Sequence, residues 1–181
     1  MKKLTLLSLL MSAVFVSYGQ DFDKNYDEET KSPIINVGLG IGLDYGGIGG
    51  RIQCVPIKQI GIYAGLGYAL IGFGYNIGAQ LRALPDKRVC PVFGLMYGYN
   101  GVIKVQGYEK YNKLYYGASI SGGIELHNKR NSNFFNFELV IPFRSKTFYD
   151  DWDTVKHLPN IEVKSEPLPV AISIGYHFAL E

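Results

Sequence analysis

Residues 60–82 read IGIYAGLGYALIGFGYNIGAQLR, and their alternation decides the fold. Ile60, Ile62, Ala64, Leu66, Tyr68 and Leu70 share one parity, with Gly61, Tyr63, Gly65 and Gly67 on the other. After Ile71-Gly72 the pattern resumes as Phe73, Tyr75, Ile77, Ala79 and Leu81 against Gly74, Asn76, Gly78, Gln80 and Arg82. A period of two marks a strand, whose successive side chains point to opposite faces. Two such runs across a tight turn predict a β-hairpin.

Working outward, the same pattern recurs from Ile34 to Phe178, and helical spacing is sustained nowhere. Eight strands are predicted, at 34–45, 47–55, 59–70, 73–82, 90–101, 113–127, 133–143 and 168–178. One parity is large and apolar throughout and carries no charge. The other holds Arg51, Arg82, Glu125 and Glu138, the polar residues Asn36, Gln53, Asn76, Gln80, Ser119, Ser121, Ser173 and His177, and most of the 22 glycines. Turned outward in water, the glycine face would give poor strands and poor solubility. The large face is also too bulky for an eight-stranded interior, which is only just wide enough for side chains. Reversed, the pattern is an apolar belt against lipid around a narrow polar interior, and closure satisfies every backbone group as lipid demands. The fold class is therefore read as all-β, an eight-stranded antiparallel up-and-down transmembrane β-barrel over residues 34–178.

Aromatics on the apolar parity gather near strand ends. Tyr45, Tyr68, Phe73, Tyr75, Tyr97, Tyr99, Tyr116 and Phe143 sit toward one rim; Phe93, Phe135, Tyr176 and Phe178 sit toward the other. Two such girdles are expected at the two faces of a membrane. A mean hydropathy of +0.03 is then a cancellation between two opposite faces.

Lys2 and Lys3, the apolar run Leu4–Val16 and the break at Ser17-Tyr18-Gly19 describe a secretory signal peptide over residues 1–19. Residues 20–33, polar and acidic, are read as a flexible periplasmic leader. Of 18 basic residues the signal takes two lysines, leaving 16 against 16 acidic ones. A neutral chain without a basic stripe excludes nucleic acid as a partner. Cys54 and Cys90 are the two cysteines, and their opposite facing on strands three apart predicts no disulfide.

The connections on one side are short (Val55–Lys58, Ala83–Val89, Asn128–Ser132), with Pro56, Pro85-Asp86 and Asn131-Ser132 as turn chemistry. On the other side, residues 101–112 prolong a hairpin and 144–167 form the longest and most charged loop. The chain resembles the small outer-membrane β-barrel family, the OmpA/OmpX-like eight-stranded barrels of Gram-negative envelopes. The resemblance rests on the alternation, the strand count and the terminal strand Ala171-Ile172-Ser173-Ile174-Gly175-Tyr176-His177-Phe178. It implies outer-membrane lipid as surroundings and an assembly signal in Tyr176 and Phe178, read by the barrel assembly machinery. It is unspecific for function, because the family holds structural proteins, adhesins, narrow pores and lipid-modifying enzymes.

Counting along the strands puts Arg51 and Glu138 at one height and Arg82 and Glu125 at a lower one. Gln53, Gln80, Tyr63 and His177 lie in the same half. Buried charges need partners, so these four are expected to form an internal ion-pair plug. Gly40, Gly42, Gly65, Gly67, Gly74, Gly98 and Gly117 would line a shallow vestibule above it. Asp150, Asp151, Trp152 and Asp153 make a solvated acidic turn in the long loop, the surface offered to an extracellular partner through residues 144–167. No metal-ligand spacing and no cofactor motif stands out. The expected role is structural or surface-interacting, in a monomer without catalytic activity. A narrow solute channel is the second reading. A lipid-modifying enzyme, using His157 with Ser145 and the loop aspartates, is the third.

Overall fold

The computed structural model describes residues 33–105, 107–129, 133–158 and 166–180. The expected signal peptide, nearly all of the leader and the Asn131-Ser132 turn lie outside the described residues. Eight strands follow in order: β1 (Ile34–Gly42), β2 (Gly47–Ile57), β3 (Ile60–Tyr68), β4 (Phe73–Arg82), β5 (Val89–Ile103), β6 (Lys113–His127), β7 (Phe134–Pro142) and β8 (Ala171–Leu180). Each pairs antiparallel with its neighbour in sequence, and β1 pairs with β8, from Ile35↔Leu180 to Ile41↔Ile174. The sheet is a closed up-and-down barrel, as its alternation requires, and closure leaves no unpaired edge. A nine-residue strand such as β3, tilted as in small barrels, rises roughly 20–25 Å, the height of an outer-membrane apolar band.

Parity places the side chains. On β3 and β4 the residues alternate strictly between buried and exposed: Gly61, Tyr63, Gly65 and Gly67 face in, while Ile60, Ile62, Leu66 and Tyr68 face out. The outward set is bare around the circumference, from Leu39 at 65% exposed to Phe73 at 73%.

Several expectations need correction. β1 stops at Gly42, three residues early, because the chain turns inward at Leu43–Gly46, closed by Gly46 N–H donating to the Leu43 carbonyl at 2.9 Å. Gly46, at φ +68°, supplies the left-handed conformation this reversal needs. Tyr45, expected in the outer girdle, is instead fully buried inside the barrel. Tyr99 is buried as well, because the β5–β6 register shifts between Tyr99 and Gly101 and turns the strand.

The acidic run in the long loop is not a turn but part of a helix, α1 (Lys146–Lys156). Ser145 caps it, accepting from Phe148 N at 3.3 Å. Its apolar residues Phe148, Trp152 and Val155 repeat at i, i+4, i+7 on one face. β5 and β6 run past their neighbours as a longer hairpin, each 15 residues, carrying a 3-10 turn at Glu109–Tyr111. α1 packs on this extension. Beyond that, β8 begins at Ala171 rather than residue 168 and continues through Ala179 and Leu180.

Candidate functional site

The barrel interior is built from side chains that each strand aims inward at every second residue. Arg51, on β2, is its hub and is fully buried. Its Nη1 donates to Asp44 Oδ2 at 2.6 Å and to Glu138 Oε1 at 3.1 Å. Its Nη2 donates to Gln53 Oε1 at 3.3 Å and to Gln80 Oε1. The guanidinium lies 3.7 Å above the Tyr63 ring, a cation–π contact of a kind that strengthens out of water. Glu138 is further held by Ser121 Oγ, donating to Oε2 at 2.6 Å.

A lower cluster joins this one through Gln80. Gln80 Nε2 donates to Glu125 Oε1 at 2.5 Å, and Arg82 Nε donates to Glu125 Oε2 at 2.9 Å. Arg82 Nη1 also reaches the Lys58 carbonyl at 3.1 Å, at the barrel's end. The structure thus brings Arg51, Glu138, Arg82, Glu125, Gln53 and Gln80 into one hydrogen-bonded column. Charge-assisted bonds of this kind are the stronger ones, and in a low-dielectric interior each partner depends on the other.

The β1–β2 turn adds to this interior. Tyr45, carried in by the β1–β2 turn, donates its hydroxyl to Asn136 Oδ1 at 2.7 Å and lies 2.7 Å from His177 Nε2. A hydroxyl has one proton, so His177 must carry its own on Nε2 and donate it to the Tyr45 oxygen. The His177 ring stacks on Phe134 with centroids 4.5 Å apart. Of the glycines expected to line a vestibule, Gly40, Gly65, Gly67 and Gly74 instead make room for this turn. A Cβ on Gly65 would strike the Asp44 carbonyl, and one on Gly67 the Tyr45 carbonyl. The vestibule is closed by the protein's own chain.

Asp44 and Tyr45 were not among the sequence candidates. Asp44 does fall on the inward parity of the predicted strand 34–45, which was the available signal. It stood at the strand's tip, where a charge is ordinarily solvated.

Above the barrel lies a second cluster of opposite character. Ile103, Val105 and Tyr115 of the long hairpin pack on Phe148 and Val155 of α1, with Tyr111 and Trp152 at the margin. Tyr115 and Phe148 meet edge to face at 4.9 Å, and Phe148 sits over Gly101, which has no side chain to block it. Asp151 ties the two pieces together. It accepts from Lys113 Nζ at 2.6 Å and from the Tyr115 hydroxyl at 2.7 Å, and the lysine bond foremost holds its carboxyl below the ordinary aspartate range. Asp150 and Asp153 are exposed, the latter paired to Lys156 at 2.7 Å, while Trp152 is half-buried.

Ser145 and His157 do not meet. The serine caps the start of α1, and His157 Nδ1 lies 2.7 Å from the Asp153 carbonyl at its end, about 16 Å of helix away. They form no nucleophile–base pair of the sort a hydrolase needs. Tyr176 and Phe178 both face outward on β8, their rings 4.9 Å apart. Cys54 and Cys90 are free thiols, Cys90 fully buried.

A closed eight-stranded up-and-down barrel, apolar outside and holding a buried polar column beside a smaller apolar cluster of Leu43, Ala69, Met96 and Val140, is the class that fold and site define. Among solved structures, the N-terminal β-barrel domain of Pseudomonas aeruginosa OprF is similar to this chain, at 11% identity over 81% of this chain and 100% of that one, with a TM-score of 0.48. No protein-family model matches the chain, and no curated protein matches it.

Proposed function

We propose that the protein is an exported outer-membrane barrel of a Gram-negative envelope, non-conducting and non-catalytic, that holds a rigid headpiece above the lipid for structural or surface contact. The observation that carries this reading is an inversion along single strands. On β6 the inward residues Ser119, Ser121 and Glu125 are polar, but Tyr115, higher on the same parity, is aromatic and packed on α1. Apolar groups are bare around the barrel and covered in the headpiece, which matches lipid below and water above.

The packed interior supports a seal rather than a pore, since turn 43–46 occupies the space a solute would need. The headpiece, with Asp150, Trp152 and Asp153 on α1, is the surface we assign to an extracellular partner. Cell fractionation with heat-modifiable gel migration tests the location: a band in the outer-membrane fraction that shifts on boiling is expected, and a soluble periplasmic chain overturns the reading. Planar-bilayer recording tests the seal. The wild type should be silent, and steady discrete openings would favour the narrow channel.

A further inference from the structure

At the end of the barrel where β1 begins and β8 ends, Cys90, Glu125 and His127 converge. Cys90 is the second residue of β5 and pairs directly across from Glu125 on β6. His127 lies two residues beyond Glu125, on the same inward parity. One sulfur, one carboxylate oxygen and one imidazole nitrogen all fall within 4.8 Å of one another. We infer that Cys90, Glu125 and His127 form a binding site for a zinc-class divalent transition metal.

The donor chemistry selects the ion. Thiolate with imidazole and carboxylate suits zinc and its neighbours, whereas calcium and magnesium take oxygen ligands alone. Three protein donors leave one tetrahedral position for water. A cleft of about 430 Å³ at the barrel's end, lined by Arg88, His127, Asn128, Phe134 and Tyr176, borders one of the three donors.

Among the described residues, the buried carboxyl groups Asp44, Glu125 and Glu138 outnumber the buried arginines Arg51 and Arg82 by one. A divalent ion binding with loss of the Cys90 thiol proton to solvent adds one positive charge beside them. Arg82 now serves as the cation, with Nε 2.9 Å from Glu125 Oε2 and Nη2 3.2 Å from His127 Nε2. Metal entry displaces it toward Lys58, whose carbonyl it already touches. Arg82 is thus a competitor for the site, a relation that a purely structural ion pair would not produce.

The test uses the full chain refolded in detergent without a histidine tag and titrated with Co²⁺, whose thiolate charge-transfer band reports sulfur ligation directly. One equivalent should bind with that band, and Zn²⁺ should displace it. Cys54→Ala should keep the band, Cys90→Ala should lose it, and His127→Ala should weaken binding by more than about tenfold, the loss that even an outer partner can cause. Arg82→Gln should tighten it. Should Cys90→Ala fail to fold, the near-isosteric Cys90→Ser in the Cys54→Ala background replaces it and should likewise lose the band. No saturable band in the wild type, or a band that survives Cys90→Ala or Cys90→Ser, overturns the site.

Discussion

The barrel and the headpiece are two packed regions on the same strands, and they are packed inside out with respect to each other. In the barrel a buried arginine gathers two carboxylates and two amides while leucines and phenylalanines stand bare. In the headpiece Phe148, Val155, Tyr115 and Ile103 are covered, and lysines and aspartates rim them. The difference teaches that burial here follows the solvent rather than the residue type. Where the surroundings are hydrocarbon, polar groups must find partners inside. Where they are water, apolar area is what folding hides, at roughly 25 cal/mol per Å².

The comparison can be broken most forcefully at its hub. Arg51→Ala leaves Asp44 and Glu138 buried without their shared cation, and should cost about 3–5 kcal/mol in urea unfolding of the refolded barrel. An unchanged midpoint would mean the interior column contributes nothing. The lipid side comes next. Ile77→Arg, mid-strand on β4 and 63% exposed, should cost about 2–4 kcal/mol in vesicles, though the same change would be harmless on a water-facing strand.

Smaller effects separate the two regions. Val155→Ala removes about 1.5 kcal/mol from the headpiece core, at ~0.8 per buried methylene equivalent. Trp152 fluorescence should report the loss at lower urea while the barrel's heat-modifiable band stays put; joint movement would show one cooperative unit instead of two. The least effect is electrostatic. Because folding lowers the Asp151 carboxyl, its tether to Lys113 is complete above the ordinary aspartate value of 3.8 and is lost as pH falls through and below it. At a half-exposed site that amounts to less than about 1 kcal/mol. Trp152 emission should hold steady from neutrality until pH nears that value and then drift, and Lys113→Ala should weaken the drift.

The two regions also differed in legibility. β3 and β4 could be read to the residue because a two-sided surface forces strict alternation, and a slip of one would expose every charge. The Arg51–Glu138 and Arg82–Glu125 heights could be counted from the same rule. What was not legible depended on the chain leaving that rule. Asp44 and Tyr45 enter the barrel on a turn that only the space above Gly65 and Gly67 permits. α1 was obscured by its own charges: Asp150, Asp151 and Asp153 read as a solvated turn, although the Ser145 cap and the 148–152–155 spacing were present. Tyr99 was misplaced by a register shift that alternation cannot announce. Cys90 and Glu125 are 35 positions apart, so only pairing across β5 and β6 reveals them as neighbours.

The inversion itself is tested most directly by the protein's single tryptophan. In vesicles of brominated lipid, Trp152 of the wild type should be little quenched. Ile77→Trp in a Trp152→Phe background should be quenched strongly, because that position faces hydrocarbon. Equal quenching of the two, or stronger quenching of Trp152, would contradict a boundary between lipid and water lying between barrel and headpiece.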